Sequence, residues 1–482
     1  MTKPILVVDV GTSGLRAAMV TPGGAVEHVH HRPLLPDSPA PGLVQFDAAA
    51  MAAAVVEVAG AAIADGGEPA AVGIANQRAS TVVWERATGT PVGPGIGWQD
   101  LRTVGTCLEL QHDGIRVAPN QSATKVSHLL DTTDPDRTRD LCFGTVDTWV
   151  AWVLSGGSVH VTDASNAAIT GLMTLDGRGW DQAVLDRLRI PAGMLPQVVD
   201  STGVAGFASA LPGSPPIAGI AGDQQASMIG QCCVHPGQAK ITFGTGGMLD
   251  LCVGASRPAF ATRGPGGAVP IVAWREAGRI TWGIEAVMLS AGTAVEWLRD
   301  DLGIIGSAAE SEQVAAAADS TGDVYFVPAL LGLGTPSWDF GARGALVGIT
   351  RGTGRAEIVR AVLEGVAQRG ADLVEAAETD GGLPVASVRV DGGMSANGVF
   401  VQALADATQR RVEVSPETEA TTLGAAYLAG AATGGWPALA DLDARWTPKA
   451  VVEPRGPARR ERWRAALERA ERWIPELSGL DL

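Results

Sequence analysis

The residues best suited to chemistry in this chain are Ala221-Gly222-Asp223-Gln224-Gln225. The apolar run Ile217 to Ala221 reads as the end of a buried strand, and Gly222 lets the backbone turn and present one carboxylate. Two Gly/Thr-rich turns lie on either side of it in sequence: Asp9-Val10-Gly11-Thr12-Ser13-Gly14 far upstream and Phe243-Gly244-Thr245-Gly246-Gly247 just downstream. Each follows a short β-like run, and each suits a phosphate held by backbone N–H groups and hydroxyls. A carboxylate between two such turns is placed to deprotonate a hydroxyl next to a nucleotide, which is phosphoryl transfer. The plain alternatives are an ordinary hairpin with an Asp turn at residue 9 and a buried Asp bonded to its own turn at residue 223.

Other strand ends carry groups that bind hydroxyls or a base. Pro69 to Ala75 reads as a strand ending in Asn76-Gln77-Arg78, and a later turn leads to Gly97-Trp98-Gln99-Asp100. A guanidinium donates to paired hydroxyls and an indole packs against carbon-bound hydrogens, so Arg78 and Trp98 can form a substrate wall, although Trp98 alone reads as core. Val388-Arg389-Val390 runs into Asp391-Gly392-Gly393-Met394-Ser395-Ala396-Asn397. Two glycines let a flat ring lie against bare backbone, and Asn397 can both donate to and accept from an adenine edge; a simple strand-to-helix turn is the alternative.

These groups need a scaffold of strands and helices to bring them together. Ile5 to Val8 and Ala17 to Val20 read as hairpin partners, residues 48–64 as a helix, Pro119 to Asp131 as a helix-like segment, and Asp147 to Leu154 as a buried helix. Thr162-Asp163-Ala164-Ser165-Asn166 reads as a polar loop. Lys240 to Leu251 repeats the strand, Gly-Thr turn and strand of residues 5–20, which points to an internal duplication with a cleft between the halves. From Glu357 the apolar positions fall on one face of a long helix, and the Arg-rich residues 455–472 read as a solvated C-terminal helix. The turn at His235-Pro236-Gly237 sets the expected boundary, giving domains 1–236 and 237–482.

Composition narrows the partners. With 482 residues, 46% hydrophobic and 18% charged, the chain exceeds what one core usually supports, so two domains are the default. A net charge of −16 argues against nucleic acid or an anionic membrane as partner. None of the four lysines stands in a P-loop, and no Gly-x-Gly-x-x-Gly occurs. The five cysteines lack the spacing of a zinc site or disulfide framework and read as reduced core residues. With no signal-like start and no apolar run near the roughly 20 residues of a spanning helix, the expected location is the cytoplasm.

Taken together, the motifs resemble the FGGY family of carbohydrate kinases, most closely its glycerol-kinase-like branch, in the family's order from about residue 5 to about residue 440. The resemblance implies an α/β, two-domain actin/hexokinase-type (ribonuclease H-like) fold, with the active site in the interdomain cleft closing over ATP, Mg2+ and a small sugar or polyol. It implies Asp223 as catalytic base, Gln224, Arg78 and Trp98 as substrate contacts, and Asp9 with Asp223 as the magnesium region. Thr12, Ser13, Arg16, Thr245 and Gly246 match the phosphate turns, and Gly292, Glu296, Gly393 and Asn397 the nucleotide wall, where Glu296 replaces a common Gln. Two departures concern the substrate. Ala79 stands where the branch has Glu, and Asn120 where it has Tyr, both residues that hold glycerol hydroxyls. The implied reading is therefore a polyol or ketose kinase that does not prefer glycerol. A xylulokinase- or ribulokinase-like enzyme and an actin-fold ATPase without kinase activity are the alternatives. Oligomeric state stays open, a homodimer being common in the family.

Overall fold

The computed structural model describes residues 3–417 and 419–479. Thirteen strands form one continuous mixed sheet. In the first half, strand Ile5–Val10 is antiparallel to Gly14–Val20, which is antiparallel to Val26–Pro33. On its other side, Ile5–Val10 is parallel to Ala71–Asn76, and that strand is parallel to Pro216–Gly222. The second half repeats the pattern. Strand Ala239–Phe243 is antiparallel to Gly247–Gly254, which is antiparallel to Arg279–Met288. It is also parallel to Ser387–Asp391, itself parallel to Arg411–Val414. The sequence echo thus has a structural counterpart, and the halves join where Thr202 pairs with Glu276.

The central parallel strands are apolar almost throughout because helices cover both faces. Helix Ala48–Gly66 begins at Asp47, whose Oδ1 accepts from the N–H groups of Ala49 and Ala50 at 2.9 Å. At 19 residues it is apolar and long enough to cross a bilayer by length and composition alone. Its Met51, Val55, Val58 and Ala62 instead pack onto Leu6, Val8 and Ile74 in the core of the first half. Helix Arg355–Gly381 covers the second half with Val359, Val362, Leu363 and Val366 turned inward.

Two short helices cross where the halves meet. Asp223–Gly230 and Ala420–Thr433 approach through bare backbone: a Cβ on Gly230 would stand 1.8 Å from the carbonyl oxygen of Ala420, and one on Gly424 would stand 1.7 Å from that of Ala226. Helix Ala420–Thr433 also lies on strands of the first half, with the Ala425 carbonyl over Gly73.

Two local expectations need correction. Residues 162–166 are the end of strand Val161–Asp163 and helix Ala164–Ala168, buried and not a loop. The C-terminal Arg-rich stretch forms helix Arg460–Leu467, and it is anchored, not solvated. Trp463 is fully buried and donates its indole N–H to Asp372 at 3.1 Å, while Arg460 pairs with Asp372 and Glu375. The Arg charges hid one aromatic anchor. Trp463→Ala is expected to destabilise the fold by about 3–5 kcal/mol, measured by denaturant unfolding; a loss under about 1 kcal/mol would mean the anchor is dispensable.

Candidate active site

The two Gly/Thr turns, Arg78, Asp223 and the run Gly392–Asn397 emerge at the carboxyl ends of parallel strands, where open α/β sheets leave a crevice. Val10, Asn76 and Gly222 stand side by side across three strands, so the first Gly/Thr turn, Arg78 and Asp223 leave the sheet at one edge. Thr242 and Asp391 stand side by side in the second half, which brings the second Gly/Thr turn next to Gly392–Asn397.

Asp223 is the first residue of helix Asp223–Gly230, and its Oδ1 accepts from the Gln224 N–H at 2.8 Å. Its side chain keeps a third of its surface exposed. The Arg78 guanidinium reaches it with Nε at 3.5 Å, while Nη2 lies 2.7 Å from Glu285 Oε2 across the junction of the halves. The Arg78 stem lies on Gly222, where a Cβ would come within 2.7 Å of it. Arg78 Nη1 is buried and has no protein partner, so one donor remains for a ligand. Burial raises the Asp223 carboxyl above its ordinary value against the pull of Arg78, which strengthens it as a proton acceptor. Burial, with Asp223 adding repulsion, pushes Asp9 to about 6 although Arg16 opposes the shift.

Arg16 is directly opposite Asp9 on the neighbouring strand, 3.7 Å from it, and also pairs with Glu419 of the second half. Its charge is thus engaged within the chain. Thr12 and Ser13 form the turn, closed by the Gly11 N–H donating to the Gly14 carbonyl at 2.9 Å. Thr245 is exposed in the second turn, and Gly246 is half-buried beside it. Gly292 donates to the Gly244 carbonyl at 2.9 Å, and a Cβ on it would stand 2.6 Å from that oxygen. Glu296 ends the short helix that Gly292 begins, and it is exposed.

Gly393 is exposed in the turn after Asp391. Asn397 departs from the expected free amide. Its Oδ1 caps helix Gly398–Thr408 by accepting from the Phe400 N–H at 3.0 Å, and its Nδ2 donates to Ser311 at 3.1 Å. Both ends of the group are used inside the protein, because an Asn one residue before a helix is a favoured cap.

On the substrate wall, the Trp98 indole N–H donates to Thr12 Oγ1 at 3.2 Å, linking the wall to the first turn. Ala79 is buried and has φ of 61°, in the left-handed region, and its carbonyl accepts from Ser122 at 2.9 Å. Asn120 is exposed. Lys125, fully buried, donates to the carbonyls of Gly97, Trp98 and Asn120 at 2.8, 3.1 and 3.3 Å. Burial pushes its ammonium down to about 7.

The sequence reading missed a row of charges beneath the site. Lys240, Asp250 and Glu285 stand side by side on three adjacent strands. Lys240 Nζ lies 2.8 Å from Asp250 and donates to Gln224 Oε1 at 2.7 Å, so Gln224 is tied to the second half. The signal was present in Ala-Lys-Ile-Thr-Phe, Met-Leu-Asp-Leu-Cys and Gly-Ile-Glu-Ala, each an apolar strand with one charge in its middle.

A duplicated sheet with a phosphate-sized turn in each half and one carboxylate between them defines an actin/hexokinase-type phosphotransferase fold. The chain belongs to the FGGY family of carbohydrate kinases, whose N-terminal domain matches residues 4–230 and whose C-terminal domain matches residues 239–433. It is 41% identical to a glycerol kinase of Aromatoleum aromaticum, covering 98% of this chain and 99% of the relative. It is 40% identical to glycerol kinase 2 of Thermotoga maritima, covering 98% and 99%. Among solved structures, a Plasmodium falciparum glycerol kinase with ADP superposes with TM-score 0.91 at 26% identity, covering 97% of this chain and 98% of the other. A xylulose kinase of Rhodospirillum rubrum shares the fold, with TM-score 0.83 at 21% identity and 97% of both chains covered. The protein is therefore an ATP-dependent sugar or polyol kinase.

Proposed function

We propose that this kinase phosphorylates a short polyol, with glycerol the first candidate, and that Asp223 is its general base. The observation that carries the assignment of the base is the pairing of Asp223 with Arg78, whose remaining Nη1 is buried without a hydrogen-bond partner. Arg78 would orient a substrate hydroxyl while Asp223 takes its proton, and the oxygen so activated attacks the γ-phosphorus of ATP. The Gly/Thr turns of the two halves, divided near residue 236, supply N–H groups and hydroxyls to the phosphoryl oxygens. Asp9 and Asp223 suit a magnesium ion: both carboxyls are raised by burial, and Asp223 disfavours ionisation of Asp9. Among the described residues no cluster of three or more metal-ligating side chains occurs, which fits an ion held by one or two carboxylates together with water and phosphate oxygens. When bound, it would neutralise charge on the phosphates.

Glycerol is favoured by relatives of that name with 41% identity over nearly the full chain. Those relatives lend no support to an enzyme that prefers something else. A second reading, a longer polyol or a ketopentose, rests on Ala79 and Asn120, which remove a carboxylate and a phenol from the wall that the family resemblance describes. Hydrogen bonds to a charged group contribute roughly 1.5–3 kcal/mol, so on that reading glycerol trails the best substrate by up to about a hundredfold in kcat/KM. The deciding measurement is kcat/KM for glycerol, erythritol, threitol, xylitol, xylulose and ribulose, with Ala79→Glu/Asn120→Tyr in parallel. Glycerol ranking first establishes the first reading; a longer acceptor ranking first, with the double variant shifted toward glycerol, establishes the second.

A further inference from the structure

We propose that Ser165 and Asn166, consecutive residues of the buried helix Ala164–Ala168, are positioning residues that set the placement of Asp223 and Arg78 relative to each other. The inference rests on the reading of Asp223 as base and Arg78 as substrate contact. Neither residue touches the cleft groups directly; each holds the end of the strand that delivers one of them. Ser165 Oγ accepts from the Gly222 N–H at 3.1 Å, one residue before Asp223. Asn166 exchanges two amide bonds with Asn76, at 2.9 and 3.0 Å, two residues before Arg78. Gly222 and Asn76 are themselves neighbours on adjacent parallel strands. One short helix therefore grips both strand ends at the point where they leave the sheet.

The grip is itself fixed. Asp163 caps the helix by accepting from the N–H groups of Ser165 and Asn166 at 2.9 Å each. The same carboxylate accepts from Ser165 Oγ and Asn166 Nδ2 at 2.9 Å, and from Ser201 Oγ at 2.7 Å. The two side chains thus have their rotamers locked by the carboxylate behind them, and the Asn166 amide is oriented by having its Nδ2 on an acceptor-only group. Asp163, Asn166 and Asn76 are fully buried and Ser165 is 1% exposed, so water cannot stand in for a lost partner without reaching the interior. Arg78 and Asp223 are only 3.5 Å apart, and displacing a reacting group by about 1 Å costs on the order of a hundredfold in rate.

The two halves of the clamp make separable expectations. Ser165→Ala frees the Gly222 N–H and should lower kcat roughly 10- to 100-fold, leaving the KM values for polyol and ATP near those of the wild type. Asn166→Ala loosens the Arg78 side and should raise the polyol KM while the ATP KM is retained. Hydrogen–deuterium exchange gives a readout besides turnover: the Gly222 amide should exchange faster in Ser165→Ala, with a far smaller change at strand Ala239–Phe243. Unchanged kcat in Ser165→Ala overturns the proposal, as does unchanged exchange at Gly222. So does a uniform loss of kcat, both affinities and melting midpoint in both variants, which marks mere scaffolding. If Ser165→Ala does not fold, the KM split in Asn166→Ala decides. If the wild type turns over no polyol, the reading of the site falls instead, and exchange at Gly222 still decides the clamp.

Discussion

Asp223→Asn is expected to lower kcat by about 10²–10⁴-fold with the best acceptor, while ATP still binds. The amide keeps the shape of the carboxylate and its reach to the Gln224 N–H, and removes only the capacity to take a proton. Nucleotide affinity measured by calorimetry beside steady-state turnover separates the two effects. The wild-type pH profile gives a second check with a defined sign. Protonated Asp223 cannot act as base, so kcat/KM should fall as pH drops through its pKa, and burial sets that limb above the ordinary carboxylate value of 3.8. The Asn variant should lack the limb. Near-normal turnover in Asp223→Asn would remove the assignment.

Lys240→Met should cost about 3–5 kcal/mol of stability. Lys240 and Asp250 are both fully buried, 2.8 Å apart, with Glu285 next in the row. Burial already raises Glu285, opposed by Arg78, so removing the one ammonium leaves an excess of buried carboxylate. Replacing an entire buried pair by apolar residues is often neutral. Lys240→Met/Asp250→Leu should therefore recover most of the loss in urea unfolding, although Gln224 still loses its Lys240 partner. If the double variant is no more stable than Lys240→Met, the ion pair is not what the lysine contributes.

How far the sequence could be read depended on which signals are local. The strand at Ile5, the helices over residues 48–64 and after Glu357, and the turn motifs were legible because apolar spacing and Gly placement encode them within a few residues. Asp223, Arg78 and both Gly/Thr turns were found by that route, and parallel strands bring them to one edge. Asn397 was read as a ligand-facing amide because its cap role depends on the helix start and on Ser311, which is 86 residues away. Lys240, Asp250 and Glu285 were missed because each looks like an isolated charge until three strands align. The polar run at residues 162–166 reads as a loop by composition. Only burial by the surrounding chain, together with the Asp163 cap, makes it a helix.

The glycine-to-backbone crossing of helices Asp223–Gly230 and Ala420–Thr433 also bears on motion. Backbone meets backbone at this crossing with no room for a Cβ at Gly230 or Gly424, so a shift of one helix along the other would drive its neighbouring side chains into a facing carbonyl, whereas a turn about the contact would not. The catalytic helix has 8 residues, which at 1.5 Å each puts its first residue roughly 10 Å from the glycine at its far end. A rotation of about 10° about the crossing would displace Asp223 by only about 2 Å, while loops two or three times farther out would sweep proportionally more. The geometry therefore works as a short lever for the base and a long one for the rim of the cleft. A large opening for exchange of ligands thus goes with a base that moves about 2 Å, little beside the rim but enough to hold off the reaction until the cleft closes again.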